Sequence, residues 1–150
     1  MEILCLPNFK VEVDRLKKNN SYRGIESEII DEFFDKNILD LKKGSRLNAS
    51  DDCPYIKGRI GGRSGYRIYY MLIIEKDILY LMYIHPKKGA FGAENITDDY
   101  IKELLKDVAT ASEKNQFLSL NHSADRKKLV YKIDVKNAEI ATGDDDIEEN

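Results

Sequence analysis

Positively charged side chains are concentrated between residues 57 and 67, a segment that contains no acidic residue. Residues 80–91, YLMYIHPKKGAF, add a histidine and two lysines at the end of a hydrophobic run. Cations grouped without carboxylates are typical of surfaces that bind phosphate groups. A solvated face, or a strand that simply ends in polar residues, is the simpler alternative. The residues concerned are Lys57, Arg59, Arg63, Arg67, His85, Lys87 and Lys88.

The hydrophobic pattern predicts the elements that must position these side chains. Segments 55–60, 65–74 and 77–85 are β-rich and joined by short links, which predicts a three-stranded antiparallel meander. Ahead of it we expect a short strand at 2–9, a helix at 11–18, a longer helix over 25–44 and a loop at 45–54. After it, Thr97 is expected to cap a last helix. The buried stripe of that helix would be Ile101, Leu104, Leu105 and Val108.

The short links also predict which residues face each other across the meander. If Ile74 lies opposite Ile78 and Ile60 opposite Tyr66, two rows of side chains share one face of the sheet. The first, the arginine row, is Arg59–Arg67–His85. The second, the tyrosine row, is Lys57–Tyr69–Tyr83. A one-residue error in register would send a strand's side chains to the other face.

Two arginines directly opposite each other repel, so the arginine row lacks an evident structural purpose. A phosphate would supply the missing negative charge, because the arginine fork matches its oxygen atoms. Tyr69 or Tyr83 would offer a ring on which a base can stack. A neutral histidine beside two cations suits acid–base chemistry. The alternative for Arg67 is an ion pair with Glu28 or Glu32.

Bulk composition places few other limits on function. The 150 residues are sufficient for one core, and 42% hydrophobic with 34% charged residues is ordinary for a globular protein. We expect no membrane span, no leader peptide and a cytoplasmic location. Cys5 and Cys53 fit neither a disulfide framework nor a metal site, so we expect reduced thiols that are buried or nearly so, with no metal and no cofactor.

Charge divides the chain into two parts. Residues 1–112 contain 18 basic and 18 acidic residues, whereas residues 113–150 contain 6 and 9, a net charge of 6 − 9 = −3. We therefore expect a folded domain over 1–112 and a C-terminal extension over 113–150, with a possible strand at 129–135. The last ten residues, 141–150, end in GDDDIEEN and predict a disordered acidic tail. Such a tail could also fold back onto the basic residues and compete with RNA, or mediate contacts with a partner.

The motif RSGYRIYYML, followed by DILYLMYIHPKKG and then NIT with a helix, resembles the RelE/HigB superfamily of bacterial toxins, closest to its HigB-like branch. The resemblance covers roughly residues 1–112 and is strongest over 55–97. It implies an α+β fold of the RelE type: an N-terminal strand, two helices, an antiparallel meander and a C-terminal helix. The acidic extension is additional to that pattern.

The resemblance implies a type II toxin that cleaves messenger RNA on the ribosome, by attack of the ribose 2′-OH and without a metal. Its partners would be a cognate antitoxin, the mRNA and the ribosome. By motif, Lys57, Arg59, Arg67 and Lys87 take the positions of the family's basic catalytic residues. His85 stands where relatives often have tyrosine, and Pro86 also departs from the pattern. Arg63, Lys88, Tyr69 and Tyr83 would contact RNA.

A different class of function is compatible with the same residues. The chain would then keep the toxin fold without cutting RNA, and would act on a protein target, as related gyrase poisons do, or on its antitoxin alone. The retained basic row argues against this alternative, whereas histidine in place of tyrosine at position 85 and the acidic extension leave it open.

Overall fold

A computed structural model describes residues 1–62, 65–87 and 96–134. Within these ranges the chain is an α+β protein with a seven-stranded, mostly antiparallel sheet in the order β2-β3-β4-β5-β1-β6-β7. Its helices are α1 (Pro7–Lys17), α2 (Ile25–Phe33) and α3 (Asp98–Lys114). Its strands are β1 (Glu2–Cys5), β2 (Ser45–Arg46), β3 (Tyr55–Ile60), β4 (Tyr66–Ile73), β5 (Ile78–Pro86), β6 (Leu118–His122) and β7 (Leu129–Ile133). Only β1 and β5 pair in parallel among these strands.

The sheet has a hydrophobic core on each face. Helices α1 and α2 cover one face, where Phe9, Val13 and Ile29 pack against alternate strand residues such as Ile68 and Leu79. Helix α3 covers part of the other face, where Leu104 and Ala111 pack with residues such as Tyr69. Because side chains alternate along a strand, the positions between the first set of core residues point toward α3. The arginine row therefore lies on the α3 side of the sheet.

The predicted meander is confirmed, with one difference at its second turn. At that turn Ile73, not Ile74, pairs with Ile78, which alone would shift the register by one residue. A β-bulge between Tyr69 and Tyr70 absorbs this shift by adding Met82 to the opposite strand. A bulge places two successive residues of one strand against one residue of its partner. Beyond it, the register is the one that the sequence predicts.

The single helix expected over 25–44 is wrong. Helix α2 ends at Phe33, Asp35 takes a left-handed φ of 63°, and a 3-10 turn follows at Ile38–Leu41. The Asn37 side chain accepts a hydrogen bond from the Leu39 N–H and caps that turn. The Tyr70 hydroxyl lies 2.8 Å from the Leu41 carbonyl and 3.1 Å from the Lys43 carbonyl. Tertiary contacts thus replace the last helical turns.

Other elements agree with expectation to within a few residues. Helix α1 begins at Pro7, four residues ahead of the predicted start, because proline is well tolerated at a first helical position. Thr97 caps α3, its Oγ1 accepting from the Tyr100 N–H at 3.2 Å. Strand β2 is a short addition within the predicted loop.

A hairpin of β6 and β7 continues the sheet beyond β1. The strand expected over 129–135 appears as Leu129–Ile133, whereas β6 was not predicted. β6 pairs with β1, and Leu120 and Leu129 enter the core beneath α1 and α2. The buried carboxylate of Glu26 on α2 accepts a hydrogen bond from the Leu129 N–H at 2.8 Å. The hairpin is therefore fastened both to the sheet and to a helix.

Candidate phosphate-binding face

Both predicted rows of side chains are present. Arg59 pairs with Arg67 and Arg67 with His85, while Lys57 pairs with Tyr69 and Tyr69 with Tyr83. We call this surface the basic face and define it by the six residues of these two rows. Arg59 is exposed, Lys57, Arg67 and Tyr83 are half-buried, and Tyr69 and His85 are buried. The cations thus lie on β3 and β4, beside the rings that β4 and β5 contribute.

His85 is buried, with 3% of its surface exposed, and each of its ring nitrogens contacts a polar atom. Nδ1 lies 3.0 Å from the Pro86 carbonyl oxygen, which can only accept, so Nδ1 carries the proton. Nε2 lies 3.4 Å from the Tyr69 hydroxyl and accepts from it. The Tyr69 oxygen in turn accepts from the Ile96 N–H at 3.4 Å. This chain of contacts fixes one neutral tautomer of the imidazole.

The environment keeps His85 neutral. Burial lowers its pKa from the ordinary 6.5, the hydrogen bond to the Pro86 carbonyl opposes that change, and the charge of Arg67 adds to the lowering. Burial also raises the pKa of Tyr69, despite the opposing effects of the Ile96 hydrogen bond and of Arg67. At neutral pH the pair therefore carries no charge, and the positive charge of this face resides on Lys57, Arg59 and Arg67.

Tyr69 does not offer a ring to a stacking base in this conformation, because none of its surface is exposed. Tyr83 is the better placed of the two tyrosines. Its ring lies 5.0 Å from that of Tyr100 at the start of α3, and Tyr100 is 36% exposed. Burial, with the negative charge of Glu12, raises the pKa of Tyr83 to about 12. The sequence pattern did not lead us to expect Tyr100 at this surface. Its position three residues after the Thr97 helix cap could have indicated it.

Lys87 lies against the turn that joins β3 and β4. Its Nζ donates to the Gly62 carbonyl at 3.0 Å and its N–H donates to the Gly65 carbonyl at 3.0 Å. A side chain at Gly65 would come within 1.9 Å of the Ile60 carbonyl, so this turn requires glycine there. The contacts bring Lys87 to the same end of the sheet as the arginine row.

Three of the expectations fall outside the described residues: Arg63, Lys88 and the acidic segment 141–150. His122, which gave no functional signal in the sequence, lies on β6 with its ring 5.1 Å from that of Phe34. Cys5 is buried and Cys53 half-buried, both as free thiols, and burial raises the pKa of Cys5 well above its usual range.

No protein-family model matches the chain, and no curated protein matches it closely enough to indicate relatedness. In the described ranges, no group of three or more histidine, cysteine or acidic side chains is arranged to hold a metal ion. None of the helices described is long and apolar enough to cross a membrane. The geometry thus defines an α+β protein with a face on which cations of β3 and β4 lie beside the rings of β4 and β5.

Proposed function

We propose that this chain is a type II toxin of the RelE/HigB kind, an endoribonuclease that cleaves messenger RNA on the ribosome. The single observation that carries the proposal is the arginine row, in which Arg59 and Arg67 face each other directly without an acidic member in the row. The succession of strand, two helices, meander and helix is also the succession that the resemblance implies.

The proposed reaction transfers the phosphate within the RNA. The ribose 2′-oxygen loses its proton and attacks the adjacent phosphorus, the bond from phosphorus to the 5′-oxygen breaks, and that oxygen takes up a proton. Arg59 and Arg67 bind the phosphate oxygens and stabilise the charge that develops on them. Lys57 neutralises the neighbouring phosphate, and Tyr83 stacks on a base.

The proton transfers are assigned to Lys87 and His85. Lys87 lies at the same end of the sheet as the arginine row, with its Nζ at the Gly62 carbonyl. His85 is neutral and accepts from Tyr69, so its Nε2 takes a substrate proton only when the Tyr69 hydroxyl turns away. A cognate antitoxin would restrain the enzyme by covering the basic face.

The test is primer extension on messenger RNA from cells after brief induction. We expect discrete cuts within translated regions for the wild type and none for Arg67→Ala. Arg23→Ala is the matched control, because Arg23 is exposed and its guanidinium contacts only its near neighbour Asn20 among the described residues. Equal cleavage by Arg67→Ala and wild type would remove the basis of the proposal.

A second candidate function is favoured by the burial of His85 and Tyr69. With both ring nitrogens of His85 occupied, the basic face can bind an anionic partner without performing acid–base chemistry. The chain would then be a toxin-fold binding module that acts on a protein target or on its antitoxin alone. A toxicity screen of the double variant His85→Ala/Lys87→Ala separates the two, because unchanged toxicity favours the binding module.

A further inference from the structure

Strand β7 forms one edge of the sheet, and its outer side has no strand partner among residues 1–62, 65–87 and 96–134. Its five residues, LVYKI, include neither proline nor glycine and are mostly of types that favour a strand. An unpaired edge of this kind is a template on which a further strand can pair.

The pairing of β7 with β6 fixes which backbone groups of β7 face outward. The Ser123 N–H donates to the Lys128 carbonyl at one end of this pairing, and the Asp134 N–H donates to the Phe117 carbonyl at the other. Backbone groups of successive residues point alternately to the two sides of a strand, so the even-numbered residues of β7 bond to β6. The odd-numbered residues direct their N–H and C=O groups to the open edge, and they are Leu129, Tyr131 and Ile133.

Apolar side chains accompany these open backbone groups. Two of the five exposed large hydrophobic residues in the described ranges belong to β7, namely Ile133, 66% exposed, and Val130, 37% exposed. Because side chains alternate between the faces of a sheet, Ile133 lies on the side of α1 and α2 with the buried Leu129, and Val130 lies on the other side. The edge therefore leaves apolar surface in water on both faces.

We propose that β7 pairs with β7 of a second copy of this chain, antiparallel and about a two-fold axis, so that the sheet continues through a dimer. An antiparallel pair of identical strands is self-complementary, because every contact of one residue with another is repeated by the symmetry. This pairing is independent of the proposed RNA chemistry, since strands β3 and β4, which carry Arg59 and Arg67, lie toward the other edge of the sheet.

One register satisfies every outward-facing backbone group. It places Tyr131 opposite Tyr131 at the two-fold axis, and Leu129 opposite Ile133 of the second copy in both directions. Each of these three pairs exchanges two hydrogen bonds. The same register sets Val130 opposite Lys132, whose aliphatic stem can cover the valine while its ammonium group stays in water. The exposed Ile133 packs beside Leu129, so apolar surface is buried on both faces.

Charge and strand length disfavour the neighbouring registers. A shift has to be by two residues, because a one-residue shift would turn the bonding groups of the two strands away from each other. In one direction such a shift sets Lys132 opposite Lys132 of the second copy, and in the other it sets Lys132 opposite Lys128. Like charges directly opposite each other are destabilising. Each shift also moves Leu129 or Ile133 past the end of the opposite strand.

Sedimentation equilibrium of the full chain over a range of concentrations tests for the dimer. We expect the wild type to approach twice the 17.3 kDa mass of one chain. Ile133→Pro should sediment as a folded monomer, because it removes one outward-facing N–H that makes no bond to β6. Ile133→Val is the matched control, since it keeps both the N–H and a branched apolar side chain, and should remain a dimer.

Far-UV circular dichroism should be the same for the wild type and Ile133→Pro, since the bonds between β6 and β7 are kept. A wild type that stays at the mass of one chain at every concentration would overturn the proposal. A dimer that persists in Ile133→Pro would also overturn it, because the contact would then lie elsewhere on the surface.

Disulfide cross-linking identifies the register and does not depend on the proline variant. In a Cys53→Ser background, which removes the half-buried native thiol, Val130→Cys and Lys132→Cys should link to each other when the two variants are mixed. Directly opposed residues that are not hydrogen-bonded have Cα atoms about 4.5 Å apart, within the range of a disulfide. Neither variant should link to itself. Self-linked Val130→Cys or Lys132→Cys would indicate a shifted register and overturn this pairing, as would the absence of any link in the mixture.

Discussion

The rings of Tyr69 and His85 stack with their centroids 5.8 Å apart and an interplanar angle of 28°. The Tyr69 hydroxyl reaches His85 Nε2 at 3.4 Å, so the two buried side chains form one polar unit within the basic face. The strand register places these residues diagonally, since Tyr69 pairs with Tyr83 and His85 pairs with Arg67. Aromatic side chains are long enough to interact across such a diagonal.

Tyr69→Phe should lower the free energy of unfolding by about 1 kcal/mol, the typical net contribution of a hydrogen bond. The ring is kept, but Nε2 of His85 and the Ile96 N–H lose their partner. Urea unfolding measures the change. Tyr131→Phe is the control, because among the described residues no group bonds the buried Tyr131 hydroxyl. Its removal should leave stability unchanged or raise it, and equal losses in both variants would contradict this interpretation.

His85 should make the protein less stable in acid. Its pKa in the folded state lies below 6.5, so the unfolded chain binds the proton more readily as pH falls through 6.5. Stability is thus lost below pH 6.5 until the pH reaches the lower, folded-state value. We expect His85→Gln to show a smaller loss between pH 7 and 5 in urea unfolding. An NMR titration that placed the His85 pKa at or above 6.5 would contradict the expected loss of stability at lower pH.

Arg59→Glu should separate stability from RNA binding. The two directly opposed arginines repel, and an acid at position 59 would pair with Arg67 instead. We expect a gain of about 0.2–1 kcal/mol in the free energy of unfolding. RNA binding should fall sharply, because one phosphate contact is lost and a negative charge is added. Arg59→Gln removes the repulsion without adding a negative charge. The stability difference between Arg59→Gln and Arg59→Glu therefore measures the new attraction to Arg67. A destabilised Arg59→Glu variant would show that the repulsion is already neutralised.

Glu26→Ala should loosen the β6–β7 hairpin. Glu26 is buried, with 7% of its surface exposed; one carboxylate oxygen accepts from the Leu129 N–H, and the other lies 3.5 Å from Lys17 Nζ. Hydrogen bonds to charged groups contribute about 1.5–3 kcal/mol, and we expect a loss of that size on thermal unfolding. Glu113→Ala, at an exposed position on α3, should change stability by less than about 0.5 kcal/mol. Faster amide hydrogen exchange confined to β7 would show that the loss of stability originates in the hairpin.

The bulge shows how closely the register prediction depended on tertiary structure. The sequence predicts that Ile74 lies opposite Ile78, whereas in the structure Ile73 pairs with Ile78. Without Met82 as the extra residue, His85 would point to the other face of the sheet. Met82 is fully buried against α3, so packing on that face accommodates the additional side chain.

The sequence by itself determined the meander, its alternation of faces and the grouping of cations, because these depend on a two-residue period and on short turns between neighbouring strands. The extent of α2, the strand β6 and the burial of His85 were decided by contacts between residues distant in the chain. Tyr70 bonds the Leu41 carbonyl, 29 positions away, and Glu26 bonds the Leu129 N–H, 103 positions away. A local pattern contains no information on such partners, so only the tertiary structure fixes them.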